Sequence, residues 1–322
     1  MGEFELLARI RERLPAAGPR IQLGSGDDAA ITVPTGATAT SVDALVEGVH
    51  FRRDQATLTQ IGHKALATAL SDLAAMGAEP GEAYVVLGVP SDLDEDGCLE
   101  LLDGMVTLAT ATGTSLAGGD VTRAAELVLA VTVVGHASTA ADLIGRGGAQ
   151  PGDALVLSGE IGGAAAGLLL LEGLAPALAQ RGLRARQLEP VPRLGAGRAL
   201  ARAGATAMID LSDGLGGDAG HLAASSNVGG RIEAETLPLA AGLAEIAAAA
   251  GRDPIELAAS GGEDYELLAA IPAERVDKAA EAVRDAEGIA LTRIGEIVAD
   301  GGVEIRLPDG RLLEPVGFDQ LS

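Results

Sequence analysis

The chain has 322 residues, with 23 Lys and Arg against 46 Asp and Glu, a formal net charge of −23 at pH 7. Such acidity excludes a nucleic-acid binder, which neutralises phosphates with clustered cations. Hydrophobic residues make up 48% of the chain, enough to bury the cores of about two ordinary domains and to argue against disorder.

Residues 1–14 set acids and arginines among apolar residues at helical spacing, without the basic-then-apolar build of a signal peptide. Strands are predicted at 29–33, 39–42, 84–89 and 126–134, the last carrying a β-branched run. Helices are predicted at 57–76 and 94–112, each ended by a glycine, Gly77 or Gly113, where a left-handed cap is expected. The run GRGGAQPG at 145–152 reads as an exposed connection. Beyond it come strands at 154–157, 206–209, 231–235, 265–271, 291–298 and 303–307. The predicted helices of this half are 163–172, 213–224, 240–250, 254–258 and 273–287. The alternation places the chain in the α/β or α+β class, with two domains, 1–145 and 146–322. No apolar stretch approaches the roughly 18 residues of a membrane span, the densest being 164–171. A single cysteine, Cys98, excludes a disulfide framework and cysteine-rich metal sites and suits a reducing cytoplasm. A soluble cytoplasmic protein is expected.

The acids are the informative residues. Asp27 and Asp28 lie in the glycine turn GSGDDAAI, Asp43 ends the strand TATSVD, and Asp120 follows Gly118 and Gly119. Asp210 ends the strand ATAMID, Asp213 follows where Ser212 is placed to cap the next helix, and Glu263 and Asp264 sit in SGGEDYELL. An acid at a strand end beside glycine marks the places where α/β proteins put ligands, because backbone approaches closely there. In the largely apolar helix ALATALSDLAAM, Lys64, Thr68, Ser71 and Asp72 recur at three- and four-residue steps along one stripe. Converging carboxylates require cations, and an oxygen-only donor set suits Mg²⁺ with a phosphate-bearing substrate. Four histidines without HExxH spacing give no zinc site.

A P-loop is excluded, since Lys64 and Lys278 are each followed by Ala. The stretch Gly24 to Ala29 matches G-x-G-x-x-A but puts two carboxylates where a pyrophosphate would sit. The segment LSGEIGGAAAGLLLL, after the strand at 154–157, is a better candidate for a backbone turn at a helix start, although close helix packing explains its glycines equally well.

Taken together, GDDAA (26–30), SVDALVEGVHF (41–51), KALATALSDLAAMGAEP (64–80), GGDVTR (118–123), GRGGAQPGD (145–153), IDLSDGL (209–215) and SGGEDYEL (260–267) resemble the thiamine-monophosphate kinases. That family lies within the PurM-like, aminoimidazole-ribonucleotide-synthetase-like superfamily. The resemblance implies ATP-dependent phosphorylation of thiamine monophosphate. It also implies a two-domain PurM-like fold whose N-terminal domains form a homodimer across a shared β-barrel, with a C-terminal α/β domain. By position, Asp28, Asp43, Asp72, Asp120, Asp210 and Asp213 match family Mg²⁺ ligands, with Ser41, the backbone at Val42, and Asp27 beside them. Gly119, Asp120, Arg146 and Ser212 match positions at ATP, Arg146 serving as the protein cation at its phosphates. His50, Glu263 and Phe318 match positions at the thiamine substrate, where an aromatic face suits a flat cation. The reacting groups would thus be held by Asp43, Asp120, Asp213 and Arg146. Two positions depart from the family: Val42 replaces a frequent Thr and leaves only a main-chain ligand, and Phe318 replaces a frequent Trp or Tyr. The same fold also accommodates a non-catalytic nucleotide- or metal-binding maturation protein, which the intact acid set disfavours.

Overall fold

Apolar alternation in the first half of the chain becomes a four-stranded sheet. The computed structural model describes residues 3–175, 181–314 and 317. It divides the chain into one unit of Met1–Leu73 with Ala78–Ala140 and another of Ala74–Gly77 with Ala141–Ser322. In the first, helix α1 (Glu3–Arg13) leads to the antiparallel pair β1 (Ile21–Leu23) and β2 (Ile31–Thr32). Then follow β3 (Ala37–Val46), α2 (Leu58–Ala75), β4 (Glu79–Val89), α3 (Glu95–Thr112), β5 (Ser115–Arg123) and β6 (Val128–Ala137). The sheet order is β3-β6-β4-β5, antiparallel except for β4 and β5, which α3 connects as a parallel crossover.

Alternation sorts this sheet into two faces. Leu45, Leu129 and Leu87 align across β3, β6 and β4 and are buried, whereas Val42 is 67% exposed and Val86 44%. Val42 aligns with Thr132 and Tyr84, and Ala44 with Ala130 and Val86, so one sheet face is apolar and open.

Helices α2 and α3 meet at backbone distance. A Cβ on Gly62 would lie 1.9 Å from the Leu101 carbonyl oxygen, and one on Gly104 the same distance from that of Thr59. Gly62→Ala therefore forces the helices apart and is expected to cost about 3 kcal/mol, measured by urea unfolding; a loss below about 1 kcal/mol would contradict this packing.

The second unit holds β7 (Asp153–Ser158), α4 (Gly163–Leu171), α5 (Arg181–Leu188), α6 (Leu194–Ala203), β8 (Ala207–Asp210), α7 (Leu215–Ser226) and β9 (Gly229–Glu233). It continues with α8 (Leu243–Ala249), α9 (Pro254–Ser260), β10 (Leu267–Pro272), α10 (Val276–Glu287), β11 (Leu291–Val298), β12 (Val303–Arg306) and β13 (Leu312–Leu313). Its sheet order is β13-β12-β9-β11-β7-β10-β8, with β12 and β9 the parallel pair. All six residues of β7 are buried because both sheet faces are covered. Leu155 and Leu157 join the core under α4, α7, α8 and α9, while α6 and α10 pack against β10 and β7.

Several expectations hold closely. The strand at 291–298 appears with those bounds, Gly77 and Gly113 close their helices at φ 66° and 73°, and Asp94 caps α3 by accepting from Gly97 N. Others are corrected. The strand expected at 39–42 runs on to Val46, so Asp43 lies inside it rather than at its end. Gly118, Gly119 and Asp120, expected at a strand end, lie inside β5, which its pairing with β4 holds extended. Tyr265 precedes β10 instead of opening it. Helices α5 and α6 were not expected, because arginine, glycine and proline in this stretch mask the apolar face that packing supplies.

Candidate active site

Strand alternation puts Ser41 and Asp43 on the buried-side face of β3 and the Val42 side chain on the other. From α2, Asp72 accepts a short hydrogen bond from the Ser41 hydroxyl. The stripe behind it is buried at Lys64, Thr68 and Ser71, while Asp72 itself is half-buried. Asp43 accepts from Ala44 N at 2.9 Å, and the exposed Asp27 from Asp28 N at 2.8 Å. Gly119 and Asp120 are exposed on β5, opposite Val85 and Val86. His50 Nδ1 accepts from Val46 N at 3.1 Å, so the neutral ring carries its proton on Nε2 and presents a donor there. The buried Lys64 ammonium donates to the His50 carbonyl at 3.4 Å, anchoring the same turn to α2.

In the second unit, IDLSDGL and the first turn of the helix that follows it carry three acids, Asp210, Asp213 and Asp218. Asp210 is buried at the end of β8, and Asp213 is half-buried in the loop. Ser212 does not cap α7 as expected; Gly214 is the N-cap, and the carboxylate of Asp218 accepts from Asp213 N and Gly214 N, both at 3.1 Å. Burial, reinforced by Asp210 and Asp213, pushes the Asp218 carboxyl up to about 7 against the pull of those two amides. Asp218 escaped sequence reasoning because an acid in a helix is ordinarily solvated, and nothing local marks this one as turned back on the loop.

The SGGEDYEL segment lies along the same loop: Glu263 N donates to the Ser212 carbonyl and Tyr265 N to that of Leu211. Glu263 and Tyr265 both hold left-handed backbone, φ 67° and 50°, an arrangement costly for side-chain residues. Gln187, buried on α5, donates to the Glu263 carboxylate. Between them, Asp264 accepts from Gly162 N at 2.6 Å and Ala164 N at 3.0 Å. The glycine turn at the start of α4 is therefore filled by a carboxylate of the chain itself.

Burial pushes the Asp264 carboxyl up to about 7, with the two amides and Arg186 opposing. A folded-state value above the ordinary 3.8 means that the stability this group contributes is full below about pH 4 and lost as pH rises through 7. Wild-type Tm is expected to fall relative to that of Asp264→Asn as pH is raised from about 4.5 to about 8. A constant difference by calorimetry would refute this.

Arg146 is exposed, and its carbonyl accepts from the Ser226 hydroxyl at the end of α7. Phe318 lies outside the described residues. Among the described residues no three His, Cys, Asp or Glu side chains form a ready metal cage. The donor set is nevertheless all oxygen: Ser41 with Asp43 and Asp72 in one unit, Asp210 with Asp213 in the other. Paired acids whose charges raise a neighbour's pKa suit a hard divalent cation.

Family descriptions match most of the chain: AIR synthase related protein, N-terminal domain, over residues 26–137, and the C-terminal domain over 150–308. Thiamine-monophosphate kinase of Escherichia coli (strain K12) is 38% identical over 323 residues, 99% of this chain and 96% of the relative. The crystal structure of thiamine-monophosphate kinase from Stenotrophomonas maltophilia K279a superposes with TM-score 0.83 at 38% identity, covering 97% of this chain and 98% of that one. A structure described as AaThiL complexed with AMPPCP and TMP gives TM-score 0.77 at 29% identity, covering 98% and 96%.

Proposed function

The chain belongs to the thiamine-monophosphate kinase family, and from that membership we propose that it transfers the γ-phosphoryl group of ATP to thiamine monophosphate by direct in-line attack of a substrate phosphate oxygen. The products are thiamine diphosphate and ADP. The observation that carries this reading is 38% identity to a thiamine-monophosphate kinase across 99% of the chain.

The attacking phosphate is already anionic at neutral pH, so the protein's task is positioning and charge compensation rather than proton abstraction. Ser41, Asp43, Asp72 and Asp120 in the first unit, with Asp27, Asp28 and the Val42 carbonyl, are the Mg²⁺ ligands of this reading, as are Asp210 and Asp213 in the second. Bound Mg²⁺ supplies neutralisation of the charge on ATP and on the acceptor phosphate. Gly119 and Ser212 contact ATP, and Arg146 offers its guanidinium to the phosphates. His50 donates from Nε2 to the thiamine substrate. Glu263, oriented by Gln187, receives the polar or cationic part of thiamine, and Phe318 an aromatic contact with it.

The first unit forms a homodimer in this reading, since the open face bearing Val42 and Val86 is an apolar surface that a second copy covers. Light scattering should return twice the 32.1 kDa chain mass; a monomer at micromolar concentration overturns the dimer. Burial pushes the Cys98 thiol up to about 11, an inert group suited to the reducing cytoplasm, where the enzyme acts. No described helix is long and apolar enough to cross a membrane. The deciding assay combines protein, ATP, Mg²⁺ and thiamine monophosphate and scores thiamine diphosphate, with free thiamine as control. Absence of product across a range of Mg²⁺ concentrations would overturn the reading.

A further inference from the structure

The start of α7 poses a conflict that its sequence does not reveal. A helix beginning after Ser-Asp-Gly ordinarily has its first amides capped by the Ser or Asp side chain. Here Gly214 stands at the N-cap with no side chain to offer, and neither Ser212 nor Asp213 takes the role. The amides of Asp213 and Gly214, which lead into the helix, are satisfied from inside it. One oxygen of Asp218, Oδ2, accepts from both at 3.1 Å, and the residue is 1% exposed.

We propose that Asp218 is a positioning residue: by capping the loop from within α7 it leaves the Asp213 carboxylate uncommitted and aimed for ligand. The inference rests on the kinase reading, in which Asp213 serves the reacting phosphates. Asp213 makes no side-chain hydrogen bond among the described residues, as this division of labour requires. Without Asp218 the Gly214 amide would recruit the nearest acceptor, and the carboxylate of Asp213, one residue before it, is the one in sequence reach, as Asp43 takes the amide of Ala44. The Asp213 carboxylate would then be spent on the backbone.

The role needs an acceptor oxygen and not a charge, which separates it from metal ligation. Asp218→Ala is expected to lower kcat about 10²-fold, the scale of a reacting group misplaced by about 1 Å, while KM for thiamine monophosphate stays within about threefold and circular dichroism remains native. Asp218→Asn keeps an amide oxygen for both donors and should recover most of the lost turnover. A kcat for Asp218→Ala within about threefold of wild type overturns the proposal, as does Asp218→Asn failing as badly as Ala, which would mark the charge as the active feature. Should Ala not fold, Asp218→Ser decides: its hydroxyl is too short to reach both amides, so a folded Ser variant must lose kcat in the same way. The wild-type assay run alongside reports on the kinase reading separately, since no turnover there would refute that reading and not the capping role.

Discussion

Asp213→Asn is expected to lower kcat at least about 10³-fold, the scale on which removing charge stabilisation at a transferring phosphoryl group acts, with little change in fold. The residue is half-buried in the loop between β8 and α7, and its side chain holds no hydrogen bond among the described residues, so the substitution removes no structural partner. The amide also keeps the shape of the carboxylate. What disappears is negative charge for a hard cation, together with one anionic donor oxygen. Asp43→Asn should behave similarly, because its side-chain hydrogen bond among the described residues, from Ala44 N, needs only an acceptor oxygen that Asn retains. Steady-state kinetics over a range of Mg²⁺ concentrations, beside thermal melts of each variant, check both statements. Turnover near wild type in either variant at ordinary Mg²⁺ would remove that residue from the reacting centre.

A large loss of stability is expected for Glu266→Ala. Glu266 is fully buried, where burial pushes its carboxyl upward while Arg193 and the Ser158 hydroxyl pull it back. Arg193 grips it with two nitrogens, Nε at 2.9 Å from Oε2 and the second amino nitrogen on Oε1. Ser158 donates to Oε2 and accepts from Leu267 N, tying β7 to β10, and the Glu266 carbonyl accepts from Leu211 N. Deleting the carboxylate leaves a largely buried guanidinium with only the more distant Glu287, at 3.8 Å, as counter-charge, which costs about 3 kcal/mol. Replacing both partners by Met removes the charge along with its counter-charge and should recover much of that loss. Urea unfolding of the two singles and the double tests this; a single-variant loss below about 1 kcal/mol would show that Arg193 finds another partner.

Much of the fold is legible residue by residue where local pattern and final burial agree. The strand at 291–298 and the two helices closed by Gly77 and Gly113 are examples, since alternation and left-handed caps are properties of neighbours in sequence. Legibility fails where packing overrides pattern. The strand containing Gly118 and Gly119 exists because β4 lies beside it, and α6, rich in glycine and arginine, forms because its apolar side meets β10 and α10.

The candidate site divides in the same way. Its chemistry is written in the chain: acids beside glycine, no zinc spacing, no P-loop, and a motif set in family order all follow from residue types and short spacings. Which acids stay open to a ligand and which are consumed by the backbone is a different matter. Asp264 fills the turn at α4 across 102 positions, Gln187 orients Glu263 across 76, and Asp218 rather than Ser212 caps α7. Those roles depend on burial and hydrogen-bond partners brought together from distant segments, and no local pattern encodes them, because a carboxylate's energy is set by the solvent it loses and the donors it meets.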